Sequence, residues 1–163
     1  MHPKAVRVVN QADDGKGPAP SFISDSYVPI KPATTTKETV ESDIKQFFAE
    51  SFRLGPLAPK SLVVTISKAD SGMVNRWEAK IPIPFVGIVG TLAETEFYMN
   101  LRVLLEVEQN GKVISSSLFD EKVTIQGHCS RREVFIQSYR RLIAEYRRRF
   151  FGELETKFID RYF

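Results

Sequence analysis

The chain has 163 residues, 42% apolar and 26% charged, which suits one domain with a real core and excludes disordered, collagen-like and low-complexity classes. A single cysteine, Cys129, and two histidines, His2 and His128, rule out an internal disulfide framework and a cysteine-clustered metal site, and leave little for a histidine metal centre. The formal charge of +3 is local: residues 131–163 hold nine basic groups against five acidic ones, while the other 130 residues hold 14 against 15.

In chain order, Lys4–Asn10 reads as a short strand, rich in β-branched residues at Ala5-Val6-Arg7-Val8-Val9. From residue 13 to residue 36 the text is loop-like, with Gly15, Gly17, Pro18, Pro20, Pro29 and Pro32, a long excursion of the kind that carries function or motion. Thr35 and Glu38 then form a capping box. Val40, Ile44, Phe47, Phe48 and Phe52 follow at helical spacing, and Gly55-Pro56 ends the predicted helix.

Ser61–Ser67 reads as a second strand, with Gly72 marking a turn toward Val74–Ile83. The run from Ile81 to Gly90 carries two prolines and two glycines. Each proline removes a ladder donor, so the run is either a kinked or bulged edge strand or an exposed apolar loop presenting Phe85 and Ile88 to a partner or lipid. Phe97–Val107 alternates strictly: Phe97, Met99, Leu101, Val103, Leu105 and Val107 face inward, with Tyr98, Asn100, Arg102, Leu104 and Glu106 between them. Asn110-Gly111 is the strongest short-range hairpin signal, and Lys112–Gln126 is its return strand. Ser130 with Glu133 makes a second capping box, opening a helix that could run to Asp160 or beyond.

This order predicts a single α+β domain over residues 1–163: a mostly antiparallel sheet with a mid-chain helix and a long C-terminal helix packed on one face. On the terminal helix, Phe135, Tyr139, Leu142, Ile143, Tyr146 and Phe150 make a core stripe, and Arg140, Arg141, Arg147 and Arg148 lie away from it. Phe151, Leu154, Phe158 and Tyr162 form a second stripe, rotated by about 100°. One sheet cannot bury both stripes of a straight helix. Either Gly152 permits a bend, or residues 152–163 project and bury the second stripe against a partner or a second copy. A straight helix from Arg131 to Tyr162 would be about 48 Å long against a radius of gyration of about 15 Å, which favours projection.

Chemistry is sparse. His128-Cys129-Ser130 puts a thiol beside an imidazole, but catalytic pairs generally meet through the fold, and a loop thiol is the expected reading. Glu94, Glu96, Glu106 and Glu108 read as surface carboxylates, and Gly87-x-x-Gly90 lacks the residues of a phosphate loop. No cofactor, metal or catalytic residue is expected. A solvated face interleaved with Glu133 and Glu145 leads as the reading of the arginines, ahead of an anionic membrane surface or an acidic partner; no motif supports nucleic acid. No stretch approaches the ~18 apolar residues of a membrane span. The N-terminus lacks the apolar core of a signal peptide, so the chain is expected to be cytoplasmic or to begin after a removed signal.

The order of elements carries a resemblance. Ala5-Val6-Arg7-Val8-Val9 leading into a Gly/Asp loop, a helix closing at Gly55, the strand Leu62-Val63-Val64-Thr65-Ile66, the hairpin of Leu101–Val107 with Lys112–Ser117, and a terminal helix together resemble small Gram-negative envelope lipoproteins of the YajG and ABC-transport-auxiliary kind. The chain departs from that pattern in having no lipid-carrying N-terminal cysteine and a longer, more arginine-rich terminal helix. The resemblance implies a periplasmic, membrane-tethered, non-enzymatic accessory module acting by protein contact, such as a subunit of a transport or surface assembly. It transfers no site residue. The competing expectation is a domain that binds a lipid or other apolar ligand between sheet and helix.

Overall fold

Two residues with positive φ, Asn110 at 54° and Gly111 at 75°, close the hairpin on which the fold is framed. The computed structural model describes residues 3–13, 35–51, 58–75, 94–128 and 132–163. The loop at 14–34, Phe85 and Ile88, and the Cys129-Ser130 pair lie outside them. Its elements are β1 (Val6–Asn10), α1 (Thr36–Ser51), β2 (Lys60–Asn75), β3 (Glu94–Gln109), β4 (Lys112–His128) and α2 (Arg132–Glu153). The four strands lie in the order β1-β2-β3-β4. β1 runs parallel to β2 and the other two pairings are antiparallel, so the fold is α+β with a mostly antiparallel sheet, as expected. A parallel pair needs a crossover, and α1 supplies it.

The capping box at the start of α1 is formed: the Thr35 N–H donates to Glu38 Oε2 at 2.7 Å and the Glu38 N–H to Thr35 Oγ1 at 3.3 Å. Val40, Ile44 and Phe48, four residues apart, are buried on its inner face. β3 buries Phe97, Met99, Leu101, Val103, Leu105 and Val107, each at most 3% exposed, in the register the alternation predicts. Opposite them β4 contributes Phe119 and Val123, and β2 contributes Leu62, Val64 and Ile66.

Gly72 does not mark a turn. β2 continues through it to Asn75, and a Cβ there would come within 2.5 Å of the Tyr98 hydroxyl on the neighbouring strand. Glycine stands at that position to admit an aromatic ring. A bulge between Ile66 and Lys68 adds Ser67 to the strand and keeps Ala69 and Ser71 on the core face.

Residues 152–163 do not project: Leu154 and Phe158 are 2% and 1% exposed. α2 passes into a π-helical stretch, Leu154–Ile159, in which the Asp160 N–H donates to the Glu155 carbonyl five residues back. A last α-helical turn, Asp160–Tyr162, follows. Thr156 Oγ1 donates to the Gly152 carbonyl at 2.7 Å, at the entry to the wide turn. The consequence is a single stripe: Leu142, Tyr146, Phe150, Leu154 and Phe158, four residues apart, are 0–2% exposed. In an α-helix a four-residue step drifts by about 40°, and the wider π turn takes that drift back.

The length argument fails for a second reason. β3 and β4 have 16 and 17 residues, about 55 Å at ~3.3 Å per residue, so a helix of about 46 Å lies within the length of the sheet. Leu154 and Phe158 therefore belong to the core of their own domain and are not a partner surface. Phe151 is partly buried and stacks on Phe47 of α1 at 4.6 Å, while the Tyr162 hydroxyl accepts from Ser115 Oγ at 2.6 Å and its carbonyl accepts from Lys60 Nζ at 3.2 Å. All four residues of the second stripe hold the chain's end to its own domain.

Tyr146 is buried with its hydroxyl unpartnered among the described residues, and burial first, then the Asp43 carboxylate, pushes it well above the usual phenol range. An unmade buried hydrogen bond costs more than an absent polar atom. Tyr146→Phe is expected to leave stability unchanged or raise it by up to about 1 kcal/mol, read from the urea midpoint. A loss larger than that would show that the hydroxyl has a partner.

Candidate interaction surface

With both helices on one face, the other face of the sheet is built from the alternate residues of each strand. Its β1–β4 row reads Val9, Thr65, Leu104, Leu118, each opposite the next across the ladder. Around that row stands a lattice of cross-strand charge pairs: Arg102 with Asp120 at 3.2 Å, Lys122 with Glu96 at 2.9 Å, and Arg7 with Glu108 at 3.6 Å. Lys122 also sits 5.1 Å from the centre of the Tyr98 ring. The face is not uniformly wet, because Val63 and Glu96 are buried on it.

Two features stand out. The first is a cleft of about 550 Å³ beside the β2 bulge, whose lining includes Asp13, Ser67, Lys68, Asp70, Tyr98 and Arg102. Asp70 accepts from Asn100 Nδ2 at 2.7 Å through one oxygen; the other is buried, with Lys68 Nζ 3.7 Å from it. The cleft can accept a polar or charged group, but it contains no nucleophile held by a base.

The second is apolar. Val113, Ile114 and Leu118 are 52%, 49% and 53% exposed, all in the first half of β4. A register shift between Val107 and Glu108 leaves Ile114 as an extra residue. Val113 lies opposite Glu108 on the face away from the helices, and Ile114, one step before core-facing Ser115, lies on it too. Both therefore share that face with Leu118. Sequence reading missed this group. Its signal was available: two adjacent apolar residues directly after Asn110-Gly111, and a leucine in the wet phase of the return strand.

The arginines divide. Arg147 reaches across to α1, donating to both carboxylate oxygens of Asp43 at 2.8 and 2.7 Å, and that hydrogen-bonded carboxylate raises its pKa further. Arg148 makes the same fork to Glu145 one turn back, and with Arg149 holds the Glu145 carboxyl down to about 2. Arg140 and Arg141 remain exposed. So the four do not form one surface: one is a clamp between helices, one belongs to a local pair, and two face solvent.

Among the described residues no group of three or more His, Cys, Asp or Glu could hold a metal ion, and no helix is long and apolar enough to cross a membrane. Among the described residues, the largest side chains buried between sheet and helices are those of Tyr146, Phe97, Phe150 and Phe158. No known protein family matches the chain, and no curated protein matches it.

Proposed function

We propose that the chain is a non-enzymatic interaction module that works by contact along β4, as an accessory subunit of a cell-envelope transport or surface assembly. The observation that carries the contact half of this reading is the half-exposed apolar trio Val113, Ile114 and Leu118 on an edge strand. Edge strands that stay free are usually blunted by charge, yet Val113–Phe119 contains none. The compartment is proposed on the resemblance of the element order to that of envelope lipoproteins, and the gene's own N-terminus tests that half: a lipoprotein signal ending in a cysteine is the expected finding.

For contact, a photo-crosslinking amino acid placed at position 118 in the native cell is expected to give a discrete adduct with a polypeptide, whereas the same residue at position 141 is not. Adducts with lipid alone, or lipid co-purifying with the chain, would overturn this reading in favour of apolar-ligand binding.

A further inference from the structure

Resting on that reading, we infer that the occupant of the β4 edge is a second copy of this chain, its β4 paired antiparallel to the first about a twofold axis at Ser116. The backbone allows it. The turn closes on the hydrogen-bonded pair Gln109 and Lys112, and counting alternate pairs along β3 turns the N–H and C=O of Ser116 and Leu118 to the outer edge. Among the described residues nothing pairs with that edge.

Side chains select the register. In an isologous pair each residue before the axis meets the one equally far after it, and every pairing occurs twice. With Ser116 on the axis, Ser115 meets Ser117 and Ile114 meets Leu118. Exposed apolar groups thus cover one another, and three small residues occupy the centre. Val113, on the same face as Ile114, widens the seat for the incoming Leu118. Neighbouring registers fail: an axis at Ser117 sets Ile114 against Asp120, an axis at Leu118 sets Ile114 against Lys122, and an axis at Phe119 sets Leu118 against Asp120. One register of the four sets the exposed apolar groups against each other.

Sedimentation of the full chain across the micromolar range tests this, beside cysteine trapping in a Cys129→Ser background. Ser116→Cys should oxidise to a covalent dimer, because residues facing each other in a hydrogen-bonded pair have Cα atoms about 5.5 Å apart, within disulfide reach. Thr124→Cys should not, since the two copies of that position would stand about 50 Å apart. Leu118→Lys should weaken the dimer by about tenfold with no change in melting temperature. A monomer throughout, or a dimer indifferent to Leu118→Lys and not trapped at position 116, overturns the inference. If the chain is monomeric while position 118 crosslinks to a different polypeptide, only this inference fails; if position 118 crosslinks to no polypeptide, the reading beneath it fails as well.

Discussion

Phe158→Ala is expected to destabilise the domain by about 3–5 kcal/mol, a shift of the urea midpoint large enough to leave little folded protein at physiological temperature. The side chain is 1% exposed, lies 5.2 Å from the Tyr162 ring at a tilt of 56°, and ends a file of five buried residues along the helix. Truncation leaves a void that the rigid strands beneath cannot close. Deleting Thr156 makes the contrasting case. One π turn accommodates one residue more than an α-helix would, so removing a residue inside it should return the segment to α-helical bonding. The interval from Leu154 to Phe158 then falls from four residues to three, and the ring stays in the stripe. The deletion is expected to cost less than half of what Phe158→Ala costs. A deletion as damaging as the truncation would show that the π geometry itself, and not the phase it restores, holds the end of the helix.

That region also shows how far sequence reading reaches. The stripe beyond Phe150 is visibly out of phase, and a change of about one residue in phase is the mark of an inserted residue. The same observation supports a bend, an overhang or a wide turn, and periodicity does not choose among them. The choice depended on the length of the sheet, and that depended on Gly72. Read as punctuation, Gly72 halves β2; placed against Tyr98, it lets the strand run on for 16 residues and gives the helix a platform of its own length. Close approach of a side chain from a neighbouring strand leaves no trace in local sequence. Short-range chemistry was legible: the Thr35/Glu38 capping box and the Asn110-Gly111 turn are read from a handful of adjacent residues and form as read. The apolar group on β4 lay between these cases, since alternation was used to find what β3 buries and not to ask what β4 leaves outside.

Leu105→Ala is expected to cost about 2–5 kcal/mol and Glu106→Ala less than about 0.5 kcal/mol, although the two residues are neighbours on one strand. Leu105 is 3% exposed and lies between Val64 on β2 and Ser117 on β4, with the helices above it. Glu106 lies between Val63 and Ser116 on the opposite face. A strand has a side-chain period of two, so a slip of one residue in the β3–β4 register would exchange these environments and invert the two results. Equal losses would mean that both faces of β3 are packed. Leu118→Ala completes the comparison: at 53% exposure its loss should also stay within about 0.5 kcal/mol of stability, despite removing as large an apolar side chain as Leu105→Ala removes. A leucine that costs nothing to truncate in the isolated domain, but whose replacement by lysine disrupts association, has its apolar surface kept for a partner.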